Sequence, residues 1–279
     1  MKVPIKQETS SSVINIALDT INQKKQALVF VNTKKSAEKT AEEISKKIKI
    51  NDSELNEISK SILNSLPKST KQCQRCSEIV KKGIAFHHAG LTSKQRELIE
   101  DNFKKGKIKV ICSTPTLAAG IDLPAFRAIL KDLRRYTQRG LAWIPVLEYL
   151  QMSGRAGRPN YDTKGEAIAI ASTKAAKEKI EEKYINGNPE EVYSKLAVEP
   201  VLRTYVLSLI SSGFVTTRVE LNDFFSETFY AFQFKDLRKI TSILQKILDM
   251  LEEWEFIIST GRDDFKDADE IDDETYKAT

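Results

Sequence analysis

The chain has 279 residues, of which 41% are hydrophobic and 30% charged, with 11 Gly, 8 Pro and 3 Cys. At roughly 100–200 residues per domain, this length predicts two domains. The composition excludes a disordered or collagen-like chain, and three cysteines exclude a disulfide framework. Because no apolar run approaches the roughly 18 residues of a membrane span and no secretion signal opens the sequence, we expect a soluble, cytoplasmic protein.

The positive charge is unevenly distributed along the chain. Residues 263–279 hold eight acidic and two basic side chains, and the preceding residues hold 42 Lys and Arg against 31 Asp and Glu. A basic body with an acidic tail favours a polyanionic partner. Much of the lysine is equally typical of a solvated helix surface.

Helix and strand patterns alternate over the first two thirds of the chain. Short apolar runs predict strands at 27–31, 84–86, 110–112, 125–130 and 167–171. Helical spacing predicts helices over 13–21, 37–48, 55–66, 71–82 and 93–105, a short helix after 114–120, and a helix leading into a loop over 149–157.

This alternation indicates an α/β fold, with a mostly parallel sheet covered by helices on both faces. Ligands of such sheets bind at the carboxyl ends of the strands. We therefore expect functional residues within 32–35, 87–91, 113–122 and 151–158.

The pattern changes after residue 192. Apolar residues recur at helical spacing near 201–210, 221–225 and 237–251, and a short strand follows at 256–258. Three helices and a strand predict a small winged-helix module, although any three-helix bundle shows this periodicity. The predicted domains are an α/β domain over 1–195, a winged-helix domain over 196–260 and an acidic linker or tail over 261–279.

The segment from Gln151 to Pro159 reads Gln-Met-Ser-Gly-Arg-Ala-Gly-Arg-Pro. Arg155 and Arg158 are three residues apart, which on a helix or tight turn points both guanidinium groups to one side. Arginine binds phosphate bidentately, and an arginine finger neutralises charge in phosphoryl transfer. Taken alone, this spacing is also that of a basic surface turn.

A second segment, Ser113–Ala125, directly follows a predicted strand. Hydroxyl groups and free amides at a strand exit can hold nucleic-acid phosphates. Asp122 can accept hydrogen bonds from a ribose or an arginine. The alternative is an ordinary loop in which Asp122 caps a helix.

These two segments, in this order, resemble motifs V and VI of superfamily 2 helicases, and the second has the form of the Ski-like branch. Residues 83–91 resemble motif IVa, and residues 28–38 resemble motif IV. The four segments cover residues 27–162 and are most similar to archaeal Hjm-type DNA helicases. The resemblance implies a second RecA-like domain followed by a winged-helix domain.

The resemblance also implies roles by position. It makes Arg155 and Arg158 the catalytic arginine fingers, and gives nucleotide contacts to Gln151, Gly120 and Asp122. Asp122 stands where the branch usually has Asn. The residues implied to contact nucleic-acid phosphates are Thr114, Thr116, His88, Asn32 and Lys34.

Between motifs V and VI, the Hjm-type helicases place a β-hairpin that splits the duplex. Here two strand-like arms, 128–136 and 141–146, flank a polar turn, which predicts a hairpin over about 128–146. Arg134, Arg135 and Arg139 would face phosphates. The alternative is a surface hairpin without this role.

The sequence contains no Gly-x-x-x-x-Gly-Lys-Ser/Thr phosphate loop and no Asp-Glu-x-His segment. We therefore expect a first RecA-like domain, absent here, to hold most of the ATP and Mg²⁺, and the isolated chain to be inactive. Cys73 and Cys76 have the spacing of zinc ligands, but no second pair follows, so no metal is expected. A disulfide or two free thiols is favoured instead.

The sequence thus predicts the C-terminal motor lobe and winged helix of an archaeal ATP-dependent DNA helicase. It would unwind forked or branched DNA with 3′-to-5′ polarity, act in DNA repair and be associated with the nucleoid. Its partners would be single-stranded and forked DNA and, in cis, the missing N-terminal RecA-like domain. The alternatives are an RNA helicase of the same branch and a non-catalytic nucleic-acid-binding module.

Overall fold

The computed structural model describes residues 4–50, 52–118, 122–158, 162–260 and 275–279. The chain divides into two compact units, Met1–Glu190 and Glu191–Thr279. The division falls five residues before the predicted boundary at residue 196.

The first unit is built on a parallel sheet. Its strands are β1 (Ala27–Phe30), β2 (Ile84–His87), β3 (Val110–Ser113), β4 (Arg127–Leu130), β5 (Arg134–Thr137), β6 (Gly140–Trp143) and β7 (Glu166–Ala169). Five of them form the sheet in the order β2-β3-β1-β4-β7, with every pair parallel. This confirms the predicted α/β class, and each sheet strand begins within two residues of its predicted start.

Helices connect the sheet strands. They are α1 (Ser12–Asn22), α2 (Lys34–Ser45), α3 (Ser53–Leu63), α4 (Lys71–Val80), α5 (Ser93–Lys104), α6 (Val146–Ser153) and α7 (Lys174–Ile180). Thr33 and Thr92, the residues before α2 and α5, each accept a helix amide at the side-chain hydroxyl. The predicted loop over 114–120 contains one 3₁₀ turn, Pro115–Leu117, and the short helix predicted after it is not found among the described residues 122–126. The helix α7 was not predicted.

The core of this unit lies on both faces of the sheet. Every residue of β1 is buried, as expected for a central parallel strand. Ile44 and Phe103, from α2 and α5, are among the fully buried side chains that cover the sheet. Because all five strands are parallel, their carboxyl ends lie along one side of the sheet, called here the carboxyl edge. Their amino ends lie along the opposite side, called the amino edge.

A buried arginine joins α1 to the amino edge. Arg127, the first residue of β4, is 2% exposed, and its Nη1 donates to Asp19 Oδ2 at 2.5 Å. Its Nε donates to Glu166 Oε2 at 2.7 Å, and Nη1 also donates to Thr20 Oγ1 at 3.0 Å. Buried cations of this kind need such partners, so the three elements are fixed together.

The second unit has its own core. It contains α8 (Glu199–Ser211), α9 (Arg218–Ser226), α10 (Phe229–Phe234), α11 (Leu237–Glu253), β8 (Ile257–Thr260) and β9 (Thr275–Ala278). The predicted acidic tail is wrong for its last residues, because β9 pairs antiparallel with β8 and buries Tyr276. The short α10 was not predicted. Within the described ranges of both units, no helix is long and apolar enough to cross a membrane.

We expect Arg127→Ala to lower the free energy of unfolding by roughly 3 kcal/mol, because Asp19 and Glu166 lose their shared cation. Urea denaturation at pH 7 measures this. Lys39→Ala is the control, since Lys39 and its partner Glu43, 3.8 Å apart, are exposed; it should change stability by less than about 0.5 kcal/mol. Equal effects of the two variants would contradict the structural role of Arg127.

Candidate nucleotide and nucleic-acid interfaces

The segment that contains both predicted arginine fingers lies at the amino edge of the sheet. Ala125, two residues before β4, donates its amide to the Arg155 carbonyl at 2.9 Å and accepts from the Gly157 amide at 2.6 Å. Gly157 has a φ of +97°, a conformation that favours glycine. The expectation that residues 151–158 lie at the carboxyl ends of the strands is therefore wrong, because α6 first carries the chain across the sheet.

Arg155 follows α6 and remains partly accessible. Its side chain is 22% exposed, and its Nη1 lies 3.6 Å from Asp122 Oδ1. Its Nη2 donates to the Ala118 carbonyl. Asp122 is 94% exposed, so this ion pair is weak. The structure thus brings together two residues that the sequence assigned to the nucleotide.

Arg158 is held much more firmly. Its Nε and Nη2 donate to the two carboxylate oxygens of Asp162 at 2.7 and 3.1 Å, and its Nη1 donates to Gln26 Oε1 at 2.8 Å. Asp162 is 1% exposed and also accepts from Lys25 Nζ at 2.6 Å. The hydrogen bonds from Arg158, assisted by Lys25, lower the pKa of Asp162 to about 2. The carboxylate is therefore ionised at neutral pH.

The two guanidinium groups thus have different partners, although their spacing predicted a common side. Gln151 is exposed on α6, and Gly120 lies outside the described residues. Sequence reasoning missed Asp162 and Gln26. The spacing of Asp162, four residues after Arg158, was a usable signal, whereas Gln26 is 132 residues away from Arg158.

Four of the predicted nucleic-acid contacts meet at the carboxyl edge. Lys34 is exposed in the first turn of α2, and Asn32, just after β1, donates its side-chain amide to the Arg134 carbonyl. After β3, the hydroxyls of Thr114 and Thr116 are hydrogen-bonded at 2.9 Å. The edge therefore presents a lysine, an amide and two hydroxyls.

His88 does not take part in that surface. Its imidazole is buried, stacks on Phe86 with centroids 5.4 Å apart, and accepts at Nδ1 from the Gly90 amide at 3.1 Å. Its Nε2 lies 3.2 Å from Glu38 Oε1, and burial lowers the pKa of His88. The imidazole itself is therefore not accessible to a phosphate, and the predicted contact at His88 is left to the backbone of its turn. The imidazole shapes the turn, whose exposed residues are Ala89 and Gly90.

A hairpin follows β4, as predicted, but it is shorter. β5 and β6 pair antiparallel around a two-residue turn, with Tyr136 opposite Leu141. The predicted start at residue 128 is wrong, because residues 128–130 are fully buried in β4. The hairpin therefore spans 134–143 rather than about 128–146.

The three hairpin arginines differ in their surroundings. Arg135 donates to both carboxylate oxygens of Glu148, at 3.0 and 2.7 Å, so it is already paired. Arg134 lies over the Trp143 ring, and Arg139 is exposed in the turn. Sequence reasoning missed Tyr136, which is 84% exposed beside that turn.

The cysteines contribute to packing. Cys73, Cys76 and Cys112 are buried free thiols, and burial raises the pKa of Cys76 to about 12. In the parts of the chain that the structure describes, no three His, Cys, Asp or Glu side chains are placed to hold a metal ion. Cys73 and Cys76 lie about one turn apart on the buried face of α4.

We expect Asp162→Asn to destabilise the protein in a pH-dependent way. The folded-state pKa of about 2 lies below the ordinary value of 3.8, so the ionised pair stabilises the fold by about 2 kcal/mol at neutral pH. This stabilisation is present above pH 4 and is lost as the pH falls towards 2. Urea denaturation between pH 2.5 and 7 should show that the difference in free energy of unfolding between the unchanged protein and Asp162→Asn becomes smaller as the pH falls.

Glu178→Gln is the matched control for that titration, because Glu178 and Lys174 form an exposed pair 3.9 Å apart. It should change stability by less than about 0.5 kcal/mol at every pH. A pH-independent effect of Asp162→Asn would contradict the ionised pair.

Comparison with known proteins agrees with this arrangement. Residues 8–160 match the family described as helicase conserved C-terminal domain, and residues 165–258 match one described as helix-turn-helix domain. The chain is 44%, 41% and 43% identical to proteins named ATP-dependent DNA helicase Hel308 from Pyrococcus horikoshii, Methanococcus vannielii and Pyrococcus abyssi.

Those alignments cover 94%, 94% and 93% of this chain but only 36%, 35% and 36% of the relatives. The chain therefore spans about a third of the length of the relatives that it matches. The helicase family covers more than half of the chain, including β1 to β6, the hairpin and both arginines. With its parallel sheet and the arginine segment at the amino edge, the chain belongs to the family of helicase conserved C-terminal domains.

Proposed function

We propose that this chain is the C-terminal motor lobe, with an adjoining winged-helix module, of an ATP-dependent DNA helicase. The proposal is carried by the position of two sets of candidate residues at opposite edges of one sheet. Arg155 and Arg158 lie at the amino edge, and Asn32, Lys34 and Thr114 lie at the carboxyl edge. A close-packed sheet between a nucleotide and a DNA strand transmits displacement from one to the other.

At the amino edge, Arg155 and Arg158 suit the phosphates of a nucleotide. A guanidinium group binds phosphate bidentately and neutralises the charge that develops during phosphoryl transfer. The sequence has no phosphate loop, and the described residues hold no carboxylate cluster for Mg²⁺. The triphosphate and Mg²⁺ would accordingly be held by a second RecA-like lobe in cis, which presents them to this edge.

At the carboxyl edge, the lobe would bind one strand of a forked DNA. Lys34, Thr114 and Thr116 offer the cation and hydroxyl groups that bind phosphates. The hairpin projects its exposed Tyr136 and Arg139 beside this strand, where an aromatic side chain can separate stacked bases. The relatives are named as DNA helicases, which favours DNA over RNA. We infer 3′-to-5′ movement and a location on the nucleoid.

The second unit has a net negative charge, which does not suit a module that binds duplex DNA. It has ten Lys and Arg against eighteen Asp and Glu, and seven against ten when residues 261–279 are left out. The first unit has 34 against 21. Because phosphate neutralisation dominates affinity for DNA, we place the DNA affinity in the first unit rather than in the winged helix.

The arginine roles predict a specific loss of turnover. The isolated chain should not hydrolyse ATP. When it is joined to the phosphate-loop lobe of a relative, Arg155→Ala or Arg158→Ala should lower kcat by roughly 10³-fold and spare binding to single-stranded DNA. Phosphate release and fluorescence anisotropy measure the two properties, with the exposed Lys174→Ala as control. Turnover by the isolated chain, or unchanged kcat in both arginine variants, would refute these roles.

The charge distribution predicts where salt-sensitive DNA binding resides. In the full chain, Lys34→Ala with Arg139→Ala should weaken binding to a labelled oligothymidylate and reduce the salt slope by about 1.4, at ~0.7 per phosphate contact. Arg218→Ala with Arg238→Ala removes the same charge from the second unit and should leave the slope unchanged. A larger effect of this second pair would favour the non-catalytic binding module.

A further inference from the structure

A cavity of about 290 Å³ opens at the carboxyl edge, beside the base of the hairpin. Arg134 on β5 and Trp143 on β6 form one wall, and Ile170 and Ile180 contribute apolar surface. Thr173, just before α7, adds a hydroxyl group. Lys131, Asp132 and Ser172 also line the cavity, so its surface combines one aromatic ring and aliphatic side chains with several charged and polar groups.

In the cavity wall, the guanidinium group of Arg134 lies over the indole ring of Trp143. The Arg134 guanidinium carbon lies 4.2 Å from the centroid of Trp143, and the Trp143 ring meets the ring of Tyr184 at 61°. The Tyr184 hydroxyl donates to the Ile144 carbonyl at 2.8 Å. These contacts hold the indole and the guanidinium group in place. Both are surfaces on which the bases of single strands stack.

The cavity adjoins the residues proposed to contact DNA phosphates. The Asn32 side-chain amide donates to the Arg134 carbonyl, and Lys131, which also lines the cavity, donates to Thr40 Oγ1 of α2 at 3.1 Å. In the sheet, β1 pairs with β4 and β4 pairs with β7, so the exits of these strands are neighbours. A DNA strand that lies on Asn32 and Lys34 therefore passes the opening of the cavity.

We propose that this cavity receives the base of one nucleotide of single-stranded DNA, stacked against the Arg134–Trp143 pair. The volume of about 290 Å³, just below the roughly 300–1,000 Å³ of drug-sized ligand pockets, suits a ligand as small as one nucleotide base. The excess of 34 basic over 21 acidic residues in this unit suits the attached phosphates. The inference rests on the proposed function, since it requires DNA at the carboxyl edge.

The proposal gives Arg134 a role different from that of the other cations. Lys34 and Arg139 would neutralise phosphates, for which charge alone suffices. Arg134 would act through its planar group, which a lysine cannot replace.

Tryptophan fluorescence tests the site directly in the full chain. The sequence has two tryptophans, so Trp254→Phe leaves Trp143 as the only indole. Titration with a 12-residue oligothymidylate at low salt should quench Trp143 emission with the same midpoint as the anisotropy of a labelled oligonucleotide. An abasic strand of equal length should bind without quenching. Binding of the thymidylate without quenching would overturn the base site and leave the proposed function standing, whereas no binding at all would overturn both.

A matched pair of alanines on α7 provides the second test. Ala176 lines the cavity, and the neighbouring Ala175 is exposed and does not. Ala176→Leu fills the space and should weaken binding of the oligothymidylate roughly tenfold and abolish the quenching, while Ala175→Leu should do neither. Arg134→Lys keeps the charge and should show the same loss as Ala176→Leu. Unchanged binding in Ala176→Leu and Arg134→Lys would mean that the cavity belongs to another occupant, such as a protein side chain.

Discussion

All five strands of the sheet point the same way, so each connection must carry the chain from the carboxyl edge back to the amino edge. Between β3 and β4 this is done by residues 114–126, whose described part contains one 3₁₀ turn. Its first residues, Thr114 and Thr116, lie at the proposed DNA edge, and Asp122 lies at the proposed nucleotide edge. One short segment therefore links the two proposed sites covalently.

The next connection repeats this arrangement. After β4 the hairpin lies at the carboxyl edge, and α6 then crosses to the amino edge, where Arg155 follows it. Both segments that flank β4 thus run from the proposed DNA edge to the proposed nucleotide edge. β4 itself is fixed by the buried Arg127, which holds it against α1 and β7. The two proposed sites are therefore joined through a strand that is tied to its neighbours at its first residue.

Much of the fold follows from local sequence, because central parallel strands are continuous apolar runs with turn signals around them. The burial of His88 could not be predicted in this way, since its partner Glu38 is 50 residues away. The same holds for β9, which forms only because β8 offers it a partner. Periodicity identifies an element but does not say at which edge it ends, and that is why the position of residues 151–158 was missed.

The two arginines at the amino edge differ in the free energy needed to break their present contacts. If Arg158 left Asp162, a carboxylate that is 1% exposed and ionised down to about pH 2 would keep, among the residues that the structure describes, only Lys25 as a countercharge. Leaving a buried charge poorly compensated is strongly unfavourable. Arg155 leaves behind a carboxylate that is 94% exposed, which water solvates, and one carbonyl group. In the proposed nucleotide site, Arg158 would therefore bind a phosphate from a fixed position, whereas Arg155 could turn towards it.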